Sequence, residues 1–249
     1  FAASLYAVDA VEQWYQRLVP SIQFDLRLRP TGPEAFLRYR TVVLWDHAEG
    51  VYHALGDAVP INSSSRDVYH EVSADLSSKT GFNPFDVSVI SLNSIAFSRI
   101  SLTAKWSAIY DARKHRVTFR AFAGAFLHKD EELMRPEMGW RMYWGSSDLL
   151  YDHLYVNRQN VGQNTATQFN IDQGGFRTPT SVGTSDTWIA AMNMEVDFPF
   201  ALPLTAFASY GASPVTLVTQ EGKTTDWSGN WEAGIGLRVW RDVAEVWVP

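Results

Sequence analysis

Arg99-Ile-Ser-Leu-Thr-Ala-Lys-Trp-Ser-Ala-Ile-Tyr-Asp111 is the stretch that decides the fold. Its even positions are Ile100, Leu102, Ala104, Trp106, Ala108 and Tyr110. Its odd positions are Arg99, Ser101, Thr103, Lys105, Ser107 and Asp111, and Ile109 alone breaks the alternation. A period of two puts the apolar set on one face of a β-strand and the polar set on the other. A tilted strand crosses a bilayer with ~9–11 residues, whereas a soluble strand usually has ~5–6; this one has the longer reach. The polar turn Asp111-Ala-Arg-Lys-His115 sends the chain back through Val117, Phe119, Ala121, Ala123, Ala125 and Leu127. Thr118, Arg120, Phe122, Gly124, Phe126 and His128 lie opposite, so the pair reads as a long hairpin with one apolar and one mixed wall.

The same period continues outward in both directions. Downstream, Trp188, Ala190, Met192, Met194, Val196 and Phe198 alternate with Ile189, Ala191, Asn193, Glu195 and Asp197, and Leu204 to Tyr210 is a shorter version. Trp231, Ala233, Ile235, Leu237 and Val239 alternate with Glu232, Gly234, Gly236, Arg238 and Trp240, and Val243 to Val248 is a last strand. Upstream, Ile22, Phe24, Leu26 and Leu28 alternate with Gln23, Asp25, Arg27 and Arg29 before the turn Pro30-Thr-Gly-Pro33. Ala35 to Asp46 becomes apolar on both faces in its second half. Longer polar segments, Lys129–Glu137, Asn157–Asn164, Gln173–Thr187 and Thr219–Gly229, read as loops. Long loops alternating with short turns are the build of an outer-membrane barrel. The first twenty residues differ: Val8, Val11, Trp14 and Leu18 fall at three- and four-residue spacing before Pro20, which predicts a helix. The expected architecture is therefore all-β. It is an antiparallel transmembrane β-barrel of roughly ten to twelve strands over residues 21–249, after a helical segment or linker over 1–20.

Composition agrees. The 249 residues are 46% hydrophobic and 19% charged, and no run approaches the ~20 apolar residues of a spanning helix. Cys is 0, which removes disulfides, thiol nucleophiles and cysteine zinc sites. A net charge of -6 argues against a nucleic-acid partner. The chain starts at Phe1 without a basic, then apolar leader, so it reads as a mature or trimmed product.

Alternation alone fits a soluble barrel too, since that fold turns the apolar set inward. Strand length and the aromatics tip the reading toward a membrane. Trp106 with Tyr110, Trp140 with Trp144, and Trp188, Trp231 and Trp247 stand where interfacial belts are expected. The faces opposite the apolar ones carry Arg99, Lys105, Arg120, Glu195 and Arg238, which a wet lumen tolerates and lipid does not.

From about Asn93 onward the chain resembles a known family. The matching pieces are Phe97-Ser-Arg-Ile-Ser-Leu-Thr-Ala-Lys105 leading to Tyr110, Arg120-Ala-Phe-Ala-Gly124, and Asp148-Leu-Leu-Tyr-Asp152 with Tyr155 and Arg158. They continue with Gln168-Phe-Asn-Ile-Asp-Gln-Gly-Gly-Phe-Arg-Thr-Pro179, Ser185-Asp-Thr-Trp188 with Asn193, and Ala233-Gly-Ile-Gly-Leu-Arg238. In order and spacing these are similar to the carboxy-terminal outer-membrane β-barrel domain of Bacteroidetes gluzincin aminopeptidase-like proteins. That domain is itself distantly similar to the surface-antigen barrels of the outer-membrane assembly-factor group. The resemblance implies a bacterial outer-membrane location. The peptidase motif of such proteins, His-Glu-x-x-His, belongs to a separate upstream domain. Here His70-Glu71 is followed by Val-Ser-Ala with no second histidine, in a strand-like run, so no peptidase activity carries over.

No catalytic centre, metal site or cofactor is expected. The histidines His47, His53, His70, His115, His128 and His153 show no ligand spacing. Gly234-Ile-Gly236 lacks the third glycine and the helix of a dinucleotide loop, and Gly145-Ser-Ser-Asp148 and Gly183-Thr-Ser-Asp186 lack a nucleophile elbow. Arg120, Asp148, Asp152, Arg158, Asp172 and Arg177 form the candidate lumenal charged cluster. It is read either as a gate or ligand site, or as a salt-bridge network that fills a narrow barrel and fixes its register. The expected function is a membrane anchor or narrow pore for an upstream periplasmic or surface domain, with the lipid bilayer as partner. A transport or assembly barrel and a soluble β-barrel binding an apolar or glycan ligand are the alternatives.

Overall fold

The computed structural model of the chain describes residues 2–8, 11–26, 32–54, 57–79, 83–111, 115–135, 138–143, 149–150, 152, 173–178, 183–199, 203–219, 222–240 and 244–248. The architecture is all-β. β1 (Ala2–Val8), β2 (Val11–Leu18), β3 (Ser21–Asp25), β4 (Glu34–Ala54), β5 (Asp57–Ser78), β6 (Phe85–Asn93), β7 (Phe97–Ile109) and β8 (Arg116–Lys129) follow one another. β9 (Trp140–Arg141) and β10 (Thr184–Ser185) are short. β11 (Trp188–Asp197), β12 (Leu204–Thr219), β13 (Gly222–Trp240) and β14 (Ala244–Val248) complete the chain. Twelve strands form one sheet in the order β1-β2-β4-β5-β6-β7-β8-β11-β12-β13-β14, with β3 also on β4, and every ladder in it is antiparallel. β9 and β10 pair separately. β1 and β14 stand at the two ends of the order, and no ladder joins them among the described residues.

Two expectations are corrected. The described part of residues 1–20 is not a helix: Ala2–Val8 and Val11–Leu18 are antiparallel strands paired from Ala2↔Arg17 to Val8↔Val11. Over so short a run, three- and four-residue apolar spacing does not separate helix from strand. The ladder from β2 to β4, from Val11↔Gly50 to Leu18↔Val43, overrides the local pattern. Pro20 interrupts that ladder because it has no N–H to donate. It does not shift the register, since Leu18↔Val43 continues three residues later as Ser21↔Arg40 and the Pro20 carbonyl accepts from Thr41 N at 3.0 Å. Thr219–Gly229 is not a loop either: β12 and β13 stay paired out to Thr219↔Gly222. Its threonines are polar yet β-branched, and such residues suit a strand as well as a loop.

The alternation read around Arg99–Asp111 holds, and it has a definite sidedness. Register puts Ala104, Ala121, Met192 and Tyr210 in one row across β7, β8, β11 and β12, and puts Lys105, Arg120, Asn193, Ser209 and Glu232 in the adjacent row on the other face. The first row belongs to a bare face, with Met192 64% and Trp231 78% exposed. The second belongs to a covered face, where Asn193, Ser209, Glu232, Glu71, Ser73, Thr205 and Ser213 are buried. What covers that face is the described part of the connection between β8 and β11, including Met138, Trp140, Met142, Leu150 and Phe176.

Candidate functional site

The covered face is built from the strand positions that alternation left polar, and the β8–β11 connection is fastened to it by their side chains. Asn193 and Arg120 are ladder partners, so their side chains rise side by side. Arg120 Nη1 donates to Asn193 Oδ1 at 3.0 Å, Arg120 Nη2 to the Gln173 carbonyl, and Asn193 Nδ2 to the Gly174 carbonyl at 3.1 Å. The backbone there turns through left-handed conformations, with φ of 50° at Gln173 and 73° at Gly175. A Cβ at Gly175 would lie 2.8 Å from both Arg120 Nη1 and Asn193 Oδ1, so it would push this pair apart, and the left-handed φ itself favours glycine. Replacing Gly175 with alanine is expected to destabilise the fold by about 1–3 kcal/mol, read as a lower denaturation midpoint.

Next along the connection, Glu232 on β13 accepts the backbone N–H of Arg177 at 2.9 Å on Oε1 and that of Thr178 at 2.9 Å on Oε2. Ser209 Oγ, its ladder partner on β12, donates to the same Oε1 at 3.1 Å. The Arg177 guanidinium pairs with Glu195 on β11 and lies 4.4 Å above the Phe207 ring. Between these latches Phe176 enters an apolar cluster with Met142, Trp140, Phe122, Ile189 and Ala191. Internal backbone bonds tie the connection to itself, from Phe176 N to the Met142 carbonyl at 3.0 Å and from Met142 N to the Gly183 carbonyl at 2.8 Å.

A second cluster closes the covered face beside the first. Val42, Leu44, Tyr69, Leu92 and Phe97 pack with Met138 and Leu150 of the connection. Arg99, buried on β7, donates from Nη1 to the Met138 carbonyl at 2.7 Å and stacks 4.4 Å from the Trp140 ring. Arg135 reaches Asp67 on β5 at 2.7 Å. Asp152 is bound by Arg17 on β2 and by Arg40 on β4, and Arg40 also pairs with buried Glu71 on β5.

Of the expected charged cluster, Arg120, Asp152 and Arg177 all belong to the covered face, and their contacts among the described residues include Asn193 for Arg120, Glu195 for Arg177, and Arg17 and Arg40 for Asp152. Asp148, Arg158 and Asp172 lie outside the described residues. Glu232, Arg40 and Glu71 are additions to the expected set, and Asn193 is singled out in the sequence reading only through the family resemblance; a polar position on a strand is the signal they share.

The aromatics separate in the same way. Trp106, Tyr110, Trp188 and Trp231 are exposed on the bare side. Trp140 departs from the expectation: it is 4% exposed and packs against Phe122 and Phe126, where a Cβ at Gly124 would meet its ring at 2.8 Å. It belongs to β9 in the connection, so it follows the covering segment rather than the sheet's outer face. Trp144 lies outside the described residues, and Trp247 is placed only by its backbone, opposite Gly236.

At the end of the sheet where β7 turns into β8, Asp197 joins two neighbouring hairpins. Its Oδ2 accepts from Arg116 N at 3.1 Å and its Oδ1 from Thr205 Oγ1 at 3.0 Å, while its carbonyl accepts from the Tyr110 hydroxyl. Desolvation, with help from the Asp111 and Asp197 carboxylates, holds that hydroxyl above the usual tyrosine value, so it stays a donor. No protein-family model matches the chain, and no curated protein matches it in sequence.

Proposed function

We propose that this chain is an outer-membrane β-barrel that serves as a membrane anchor, its lumen filled by its own β8–β11 connection. The observation that carries the reading is the sidedness of the alternation. Ile100, Leu102, Phe119, Met192, Tyr210, Trp231 and Ile235 are bare, whereas Glu71, Arg99, Asn193, Glu232 and several serines are covered. A water-soluble sheet has the opposite arrangement, because exposing a continuous apolar face to water is unfavourable by ~25 cal/mol per Å². The apolar residues of the covered side, Val42, Tyr69, Phe97, Phe122 and Ile189 among them, are packed by Met138, Trp140, Met142, Leu150 and Phe176 of the connection, so the chain itself occupies the surface a soluble binder would offer.

Length supports the same reading. β7 has 13 residues, β8 has 14 and β11 has 10, against the ~9–11 that a tilted transmembrane strand requires. Backbone groups in lipid need partners, so the edges β1 and β14 are the ones that closure of the barrel brings together. The latches on Glu232, Asn193 and Arg40 favour an anchor over an open pore, since they fasten the filling segment to the wall. An anchor implies a periplasmic or surface domain of the same polypeptide as its cargo, and we assign the barrel itself no catalytic role.

The first test is gel migration with and without boiling after extraction in mild detergent. A faster-running unboiled band from the membrane fraction is expected. Protein that stays in the aqueous fraction with no mobility shift would sink the bilayer reading. In planar bilayers the unaltered protein is expected to conduct little or nothing.

A further inference from the structure

Asp152 is held in a way that resembles a bound ligand more than a structural ion pair. Arg40 Nη1 donates to its Oδ1 at 2.7 Å and Arg40 Nη2 to its Oδ2 at 2.6 Å, and Arg17 binds the same carboxylate from the neighbouring strand. Arg40 is anchored from behind, its Nε and Nη2 reaching Glu71 Oε1 and Oε2 at 2.8 and 2.6 Å. Arg38, two residues along β4 on the same face, reaches Glu71 at 3.4 Å. Glu71 is a fixed part of the wall, buried on β5. Asp152 is a guest from the connection.

Three guanidiniums thus converge on two carboxylates. Two further N–H groups here, Arg17 Nε and Arg38 Nε, are buried without a hydrogen-bond partner among the described residues. A buried donor without a partner is unusual and signals room for another acceptor. Guanidinium forks at this density match a tetrahedral oxyanion, which offers more lone pairs than a carboxylate does. The site is also reachable: side-chain exposure rises from 13% at Arg40 to 34% at Arg38, and Gln23 and Asp25 beyond it are exposed.

We propose that Arg17, Arg38 and Arg40 form a binding site for a small phosphate-type oxyanion on the covered face, with Asp152 occupying it as a tethered internal ligand. A tethered carboxylate competes at an effective concentration of about millimolar or more, so the intact chain binds the free anion weakly. Removing the Asp152 charge vacates the site without touching the arginines. The site lies on the covered face whether or not the bare face meets lipid, so it stands apart from the bilayer reading.

The test is calorimetric titration of the full chain with inorganic phosphate, and separately with dioctanoyl phosphatidic acid. It is run in detergent, or in plain buffer if the protein proves soluble there. Asp152→Asn is expected to bind at least one of them tenfold or more tightly than the unaltered chain, and Arg17→Gln added to it is expected to remove that gain. Binding of inorganic phosphate assigns a free anion, and binding of phosphatidic acid alone assigns a lipid headgroup. Equal, weak affinity of Asp152→Asn and the unaltered chain, with the near-UV circular dichroism of both intact, overturns the proposal. So does a gain that survives Arg17→Gln.

Discussion

Met192→Arg is expected, on the proposed bilayer reading, to destabilise the folded chain in phospholipid vesicles by about 2–4 kcal/mol, the range for a cation on a lipid-facing strand at the bilayer midplane. Met192 is suited to the test because it stands 64% exposed in the middle of β11. Its ladder partners are Ala121 on one side and Tyr210 on the other, and all three share the bare face. No packed core is disturbed by the longer side chain, so any penalty reports the solvent that the face meets. In water such a surface change lies within about ±0.5 kcal/mol. The two media therefore predict outcomes several-fold apart for one substitution. Equilibrium unfolding in urea from vesicles gives the number. A change near zero, with refolding intact, would mean that the bare face meets water and that the sidedness needs another explanation.

That sidedness is also where sequence and structure agree best. A period of two is a local property, fixed by which side of the pleat each Cβ leaves, so Ile100 to Tyr110 could be assigned to one face without knowing any neighbour. Which face is covered is not local. It depends on where the β8–β11 connection lies, and nothing in the spacing of Gly174, Gly175 and Phe176 announces that they fold onto Asn193 and Glu232. For the same reason Trp140 reads as one more interfacial aromatic, and only its place in the connection reverses its role. The N-terminal error has a different origin. Val11, Trp14 and Leu18 satisfy a helical spacing, and the evidence against it is a ladder to residues 43–50, far along the chain. Of the charged cluster, Arg120, Asp152 and Arg177 read as charges on one face, but their partners do not read from the sequence. Partners such as Glu195 and Glu232 are brought to Arg177 by register between β11, β12 and β13, and register is invisible until the strands are paired.

Glu232→Ala is expected to have the largest effect on the filling segment. Glu232 is 7% exposed and accepts three hydrogen bonds: two from consecutive backbone N–H groups at Arg177 and Thr178, and one from Ser209. Alanine leaves those two amides and the Ser209 hydroxyl without this acceptor, while the Arg177 guanidinium keeps Glu195. Leaving a buried donor without its acceptor costs about 1–3 kcal/mol, and three donors lose theirs here. The apolar seat of Phe176 and the Asn193 bond to Gly174 remain, so the strands are expected to hold while the segment lifts. Limited trypsin treatment reads this directly, because cleavage after Arg177 requires a site that is buried in the unaltered chain. Single-channel recording reads the consequence: conductance is expected to appear in Glu232→Ala while the heat-modifiable band is retained. If the variant keeps its trypsin resistance and stays closed, Glu232 is not what holds the segment. The closure then rests on the apolar contacts of Phe176, Met142 and Trp140.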